Sequence, residues 1–320
     1  SSQRNYLNAE SGLTALQEDV LKNQLAYQVR DVYLQMTAAI AKLTLLNEQD
    51  SVFIQVIKLE QLRFNTGETS RINLTSAEAK AGMLKNQRRV LQTELGVLQS
   101  RLQLLMNTTT EYLPADKFVP AWKAGFVPDS EQALQNPEVR QAKQQVEIYD
   151  WKARVSRAKG LPEVNLSYYN QSFAGPDVNN LARILTQRDR FSSYTLGLNI
   201  PLFYGQYRSA TRSAVYQKKA AEYTLSQKQA DWLGQWRQTL RRYAQQVQAL
   251  DYYENSALKQ ATELLRTANL SFTNGQVSYL EWANLYNQSV QLRTDRLDAL
   301  LQLDQTVNLL WYYQAQKEKP

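Results

Sequence analysis

The chain has 320 residues, 43% hydrophobic and 21% charged, with a formal net charge of +7. It contains no cysteine and no histidine, which excludes disulfides and thiol catalysis and removes most transition-metal ligands. Its bases are interspersed with acids and accompany no nucleic-acid reader motif, and no apolar run reaches the roughly 18 residues of a transmembrane helix.

Every proline but Pro320 falls between Pro114 and Pro201, leaving proline-free stretches on both sides that allow very long helices. From about Leu13 to Phe64, Val20, Leu21, Leu25, Val29, Val32, Tyr33 and Met36 recur at helical spacing. Ile40, Leu43, Leu46, Val52, Val56, Leu59 and Leu62 continue the stripe. Asn65-Thr66-Gly67 breaks it. A second helix is predicted from about Arg71 to Met106, where Leu91, Leu95, Leu98, Leu102 and Leu105 form a heptad seam. Two helices joined by a short glycine turn fold into an antiparallel hairpin.

Asn107 to Pro128 carries Pro114, Pro120, Gly125 and Pro128 and reads as an irregular connector across the surface. Asp129 or Ser130 caps a short helix. Asn136-Pro137-Glu138 then gives an N-cap followed by proline at the first helical position, and helix continues to about Lys159.

The stretch from Leu161 to Gly205 changes period. Val164, Leu166 and Tyr168 alternate with Asn165, Ser167 and Tyr169; Tyr194, Leu196, Leu198 and Ile200 alternate with Thr195, Gly197 and Asn199. A period of two is the strand period. Two antiparallel strands are expected, joined by a polar loop of about 18 residues that starts at Ala174-Gly175-Pro176-Asp177, longer than an ordinary hairpin loop. Helix resumes from Gln206 to Phe272. Asn274-Gly275 breaks it, and a last helix runs from about Tyr279 to Gln316 with Leu292, Leu297, Leu300, Leu303, Val307 and Leu310 as its stripe.

The two helical pairs match without gaps at an offset of 208 residues. Leu62, Phe64, Gly67 and Ser70 correspond to Leu270, Phe272, Gly275 and Ser278. Leu84, Arg88, Leu95 and Leu102 correspond to Leu292, Arg296, Leu303 and Leu310. This is a duplicated helical hairpin, each copy incomplete alone. The duplication predicts a matching first helix and strand pair before Ser1. The fold class is therefore mainly α: duplicated long antiparallel helical hairpins of the coiled-coil tunnel type, with one β-hairpin. The expected division is 1–107, first-repeat hairpin; 108–128, connector; 129–160, short stacked helices; 161–205, β-hairpin; and 206–320, second-repeat hairpin.

A lone two-stranded hairpin is marginal. Its alternation fits a closed barrel in a bilayer, apolar to lipid and polar to the lumen, with several chains contributing strands. It equally fits an antiparallel arm packed on the helices of a soluble protein. Tyr168, Tyr169, Tyr194, Tyr204 and Tyr207 near the strands read either as an interfacial aromatic girdle or as ordinary strand preference.

These residues resemble a family. The strand end Asn199-Ile200-Pro201-Leu202-Phe203-Tyr204-Gly205, the helix start Asn136-Pro137-Glu138-Val139 and the two Phe-x-x-Gly turns look like TolC-family outer-membrane efflux channels. Phe272-Thr273-Asn274-Gly275-Gln276-Val277-Ser278-Tyr279-Leu280-Glu281-Trp282 most resembles the TolC-like component or domain of CusA/CzcA-type heavy-metal efflux systems. The resemblance covers nearly the whole chain. It implies a homotrimer whose strands, among them Val164, Leu166, Tyr168, Tyr194, Leu196, Leu198 and Ile200, form one outer-membrane barrel in the lipid bilayer. The helices would form a periplasmic tunnel. The turns, with Phe64, Gly67, Phe272, Gly275, Val277 and Ser278, would form the periplasmic tip that receives the adaptor protein and, through it, an inner-membrane pump or a covalently fused pump. Connector 108–128 would belong to a belt around the tunnel.

Such channels often have a gate tyrosine three residues before the turn glycine; Phe272 and Phe64 lack that hydroxyl. Val277 stands where a gate arginine can occur. A carboxylate six residues after the turn glycine can form a lumen constriction ring, and here it is Glu281; the acid sometimes found nine after is Asn284. In a trimer Glu281 would give a cation-attracting ring, the alternative being a solvated surface glutamate.

The implied function is a passive exit channel of a tripartite efflux system for cations or heavy metals. A soluble coiled-coil scaffold without transport activity is the alternative. No catalytic residue, metal site, cofactor or nucleic-acid partner is expected, and no P-loop or Rossmann fingerprint occurs. Trp232, Trp236 and Trp282 read as packing between helices. Arg237, Arg241 and Arg242 read as a solvated face, as do Glu48, Asp50, Asp295 and Asp298.

Overall fold

A computed structural model describes residues 2–114, 129–172, 175–177, 180–186, 188 and 190–315. The elements in order are α1 (Ser2–Asn65), α2 (Arg71–Met106), α3 (Ser130–Leu134), α4 (Pro137–Ala158), β1 (Glu163–Ser172), β2 (Gly175–Asp177), β3 (Asn180–Leu185), β4 (Arg190–Asn199), α5 (Gly205–Tyr252), a π-turn (Tyr253–Ala257), α6 (Leu258–Thr273) and α7 (Tyr279–Gln314). The expected mainly helical fold with long antiparallel hairpins is what the chain adopts. Most of the expected connector, residues 115–128, lies outside the described residues, as does the expected last helical residue, Gln316.

The chain divides into two compact units. One comprises Gln17–Val139 and Gln229–Pro320. Within it α1 runs antiparallel to both α2 and α7. Val32, Met36 and Ala39 of α1 bury against Leu98 and Leu102 of α2, with Leu91, Leu95 and Leu105 alongside. The heptad seam read from the sequence therefore faces α1. On α1's other side, Asn308 Nδ2 donates to the Tyr27 carbonyl at 3.0 Å, Asp298 pairs with Lys42 at 2.5 Å and Arg293 with Glu48 at 2.7 Å.

Three acids of the solvated faces also pair between helices while keeping solvent contact: Glu48, Asp298, and Asp50, which Arg88 of α2 reaches at 2.9 Å. Arg296, the repeat equivalent of Arg88, also crosses to its neighbouring helix and meets Glu254 at 3.1 Å. Glu254 belongs to the π-turn. That turn interrupts what the sequence reads as one helix from Gln206 to Phe272. Buried Leu250 and Ala257 lie seven residues apart across it, an ordinary helical spacing, so the sequence pattern does not reveal it.

Asn136 is fully buried and serves two helices. Its Oδ1 accepts from the Glu138 N–H at 2.9 Å, the expected N-cap of α4. Its Nδ2 donates to the carbonyls of Tyr312 and Tyr313, at 2.7 and 3.1 Å, near the end of α7. Trp232 and Trp236 are buried, as packing residues should be, and Trp232 Nε1 donates to the Tyr313 carbonyl at 3.3 Å. Arg237, Arg241 and Arg242 are exposed.

The other unit comprises Ser1–Leu16 and Arg140–Lys228. Here α4 and the first half of α5 are antiparallel, joined by Asp150 to Lys218 at 2.8 Å. Helix α1 begins at Ser2, not near Leu13. Its first turns lack an apolar stripe, but Ala9 is buried and its carbonyl accepts from Gln144 Nε2 at 3.1 Å. Strands β1 and β4 pair antiparallel from Glu163↔Asn199 to Ser172↔Arg190. Ile200 falls one residue beyond β4, before Pro201, which has no N–H for a ladder. The expected polar loop instead contains a second ladder, β2 with β3, irregular between Pro176 and Asp177; Ala174 lies outside the described residues.

Candidate functional site

Two places concentrate the expected site residues: the turns joining α1 to α2 and α6 to α7, and the β1–β4 ladder.

The two turns are built identically. In the first, Thr66 N–H bonds to the Leu62 carbonyl at 3.1 Å, Gly67 N–H to Phe64 at 3.1 Å and Glu68 N–H to Arg63 at 2.7 Å. In the second, Asn274 N–H bonds to Leu270 at 3.0 Å, Gly275 N–H to Phe272 at 3.1 Å and Gln276 N–H to Ser271 at 2.8 Å. Each bond recurs 208 residues later. This is the Schellman ending of a helix, which needs a left-handed residue. Gly67 has φ +78° and Gly275 φ +70°.

The side chains diverge. Phe64 is half-buried, whereas Phe272 is buried and stacks on Trp282 with ring centres 5.0 Å apart. Trp282 is fully buried among Phe53, Phe272, Tyr279 and Tyr286, and its Nε1 donates to Asn269 Oδ1 at 2.8 Å. The sequence assigns Trp282 to packing but not to this centre; the three-and-four spacing of Tyr279, Trp282 and Tyr286 is the signal for one buried face. Val277 packs against the same cluster.

A polar bridge accompanies the apolar cluster, from residues the sequence does not single out. Glu60 is 1% exposed. Its Oε2 accepts from Thr69 Oγ1 at 2.9 Å, and its Oε1 lies 3.4 Å from Arg63 Nη1. Arg63 Nη2 donates to the Phe272 carbonyl at 3.2 Å. The only sequence signal is the spacing of Glu60 and Arg63, three apart on α1.

Glu281 is exposed and closes a capping box at the start of α7. Ser278 N–H donates to Glu281 Oε2 at 2.8 Å, and Glu281 N–H to Ser278 Oγ at 3.3 Å. The Ser278 N–H, followed by its hydroxyl, holds the Glu281 carboxyl below the usual carboxylate range. The group is therefore an anion at neutral pH whatever else it does. Asn284 is exposed on the next turn.

In the strand pair, the apolar residues face one another directly: Val164↔Leu198, Leu166↔Leu196 and Tyr168↔Tyr194. The Tyr168 and Tyr194 rings lie 4.9 Å apart. The intervening pairs, Asn165↔Gly197, Ser167↔Thr195 and Tyr169↔Ser193, are polar or small apart from Tyr169. All six apolar-face side chains are more than half exposed. Among the described residues no helix is long and apolar enough to cross a membrane, and no group of three or more acids converges on a metal-sized site.

Residues 130–311 match the outer membrane efflux protein family. The chain belongs to that family. Outer membrane efflux proteins are passive channels of tripartite systems, act with an adaptor and an inner-membrane pump, and reside in the outer membrane and periplasm. The fold agrees. The chain superposes on the outer-membrane channel OprN with a TM-score of 0.85 at 17% identity, covering 98% of this chain and 71% of that one. For CusC, described in connection with transmembrane channel formation, the values are 0.83, 18%, 98% and 74%. For the open state of the MtrE outer membrane channel of Neisseria gonorrhoeae they are 0.83, 16%, 98% and 71%. No curated protein matches the sequence significantly.

Proposed function

We propose that this outer membrane efflux protein is the passive exit duct for cations or heavy-metal ions in a tripartite pump. In this reading β1 and β4 contribute to one outer-membrane barrel shared by three copies. The helical hairpins of 1–107 and 206–320 form the periplasmic tunnel, with 108–128 as the belt around its middle, 129–160 as short stacked helices and 161–205 as the membrane arm. Phe64, Gly67, Phe272, Gly275, Val277 and Ser278 form the tip that meets the adaptor, and Glu281 is the lumen carboxylate.

The observation that carries this reading is the exposed apolar ladder. Val164, Leu166, Tyr168, Tyr194, Leu196 and Leu198 lie on one face of a two-stranded ribbon and are covered by nothing in the same unit. Apolar-out, polar-in alternation on strands of this length suits a lipid-facing barrel wall. A second feature supports assembly from copies. Met83, Val90, Val97 and Leu104 on α2 recur every seven residues and are all exposed, the spacing of a helix seam awaiting a partner helix. The cation preference rests on Glu281, held ionised by Ser278, and on the resemblance of 272–282 to heavy-metal efflux channels.

The test uses the full-length protein with its native N-terminus, purified in detergent. The expected result is a trimer that inserts in planar bilayers and conducts cations in preference to anions. A monomer that partitions into the aqueous phase overturns the channel reading. A trimer that conducts without cation preference overturns the cargo assignment alone.

A further inference from the structure

We propose that the foot of the strand pair holds the phosphate of an anionic lipid headgroup, bound by Arg157, Arg208 and Arg212. The proposal rests on the reading that β1 and β4 lie in a bilayer.

A cleft of about 360 Å³ opens where α4 ends and α5 begins. Arg157 in the last turn of α4 lines one side. Arg208 and Arg212, four apart on the first turns of α5, line the other together with Tyr204 and Tyr207. Gly160 lies against Tyr207, where an added Cβ would be in van der Waals contact at 3.4 Å.

The charge in this cleft is one-sided. No acid lines it, and among the described residues none of the three arginines has a carboxylate within ion-pair distance. Arg157 suits the negative C-terminal end of α4. Arg208 does not suit its place. It stands in the first turn of α5, where the helix presents unsatisfied N–H groups and positive potential, and that turn contains no acid to offset it. Three exposed arginines, of which Arg212 also lies 5.9 Å from the centre of the Tyr216 ring, thus line one cleft beside a helix N-terminus with no carboxylate among the lining residues. An anion balances that charge, and a phosphate offers several acceptor oxygens to planar guanidinium donors.

The surroundings favour a lipid over a free ion. Leu202 and Phe203, immediately before the cleft, are about 80% exposed, and the apolar ladder rises from the same end. Cations and phenols below an apolar band form the interfacial arrangement that meets headgroups while the band meets acyl chains.

The test compares the full-length protein with the triple variant Arg157→Gln/Arg208→Gln/Arg212→Gln, with Arg208→Gln alone, and with the triple Arg→Lys control. Each is incubated with phosphatidylcholine vesicles with or without phosphatidylglycerol. Flotation reads membrane association, and native mass spectrometry reads retained phosphatidylglycerol. The native protein should retain phosphatidylglycerol selectively. Selectivity should fall on the order of fivefold for Arg208→Gln and on the order of a hundredfold for the triple glutamine variant, while all proteins float with phosphatidylcholine and the lysine control keeps most of the preference.

Native selectivity in the triple glutamine variant overturns the proposal. So does complete displacement of phosphatidylglycerol by millimolar inorganic phosphate, which would make this a free-anion site. If the native protein floats with neither vesicle, the bilayer reading fails and the lipid site with it; loss of selectivity alone leaves the bilayer reading standing.

Discussion

Arg63 joins the two helix turns: its Nη2 donates to the Phe272 carbonyl at 3.2 Å, and its guanidinium carbon lies 4.9 Å from the centre of the Phe272 ring. Arg63 ends the first repeat's leading helix, and Phe272 ends the second's. The same side chain faces Glu60 behind it. One residue thus bonds the carbonyl of the neighbouring turn, covers its aromatic ring and offsets a buried carboxylate.

Arg63→Met keeps the apolar stem but leaves Glu60 buried without its cation. The expected loss is about 3 kcal/mol, read as a lower urea midpoint. Adding Glu60→Gln should recover most of it, because the remaining amide still bonds Thr69 and carries no charge. A cost below about 0.5 kcal/mol for Arg63→Met, the level of an ordinary surface substitution, would show that the bridge contributes little.

Gly67 and Gly275 have positive φ, and nothing lies within 4 Å of a Cβ built at either. The cost of a side chain is then conformational alone. Gly67→Ala and Gly275→Ala should each lose about 1 kcal/mol, equally within error, and the asparagine variants less. Unequal losses would contradict the equivalence of the two hydrogen-bond sets.

Burial pushes the Tyr279 and Tyr286 hydroxyls up to about 12, with Glu60 adding to the effect on Tyr279. Tyr312 is raised by burial and by its bond to Glu138. A folded-state value above the unfolded one favours the neutral phenol. The stabilisation is complete below about pH 10, the unfolded tyrosine value, and is lost as pH climbs toward 12. Stability should therefore fall at up to about 1.4 kcal/mol per pH unit for each tyrosine across that window. Tyr286→Phe keeps the ring contacts with Phe53 and Trp282 and should make the fall shallower. An unchanged slope would remove Tyr286 from the account.

Glu281→Gln separates the two roles of that side chain. Glutamine serves the capping box, so the melting temperature should stay within about a degree of native, as for an exposed site whose cap survives. Cation preference in planar-bilayer conductance should drop. Unchanged selectivity would sink the lumen-ring assignment and leave Glu281 as a helix cap.

The helices were legible because apolar residues recur along them and glycines end them. Gly67 and Gly275 mark both turns, and Asn136-Pro137 marks the α4 cap. The ladder was legible because Val164, Leu166, Tyr194 and Leu196 keep a strict period of two. Other features left no such trace. The first turns of α1 have no stripe and are fixed by contacts such as Gln144 on Ala9. Leu250 and Ala257 flank the π-turn at an ordinary seven-residue spacing, which hides it. Glu60 is not singled out because sequence does not report which side of a long helix a neighbour covers. Glu48 and Asp298 remain solvated, as read, and Asp50 partly so; what the sequence does not report is that each also joins an interhelical ion pair. The arginine cleft needed the fold, since Arg157 and Arg208 are separated in sequence by both strands.

The β1–β4 ribbon has a further consequence for how the protein is made. Its apolar side chains contribute no interior to the unit that bears them, so burial there does not hold the ribbon in shape, and a two-stranded ribbon alone is marginal in water. The helices can mature on their own contacts, chain by chain. In the proposed barrel, the ribbon would gain its remaining partners only from other copies. Until it is covered, the two edges of the ribbon stay open to pairing with another chain.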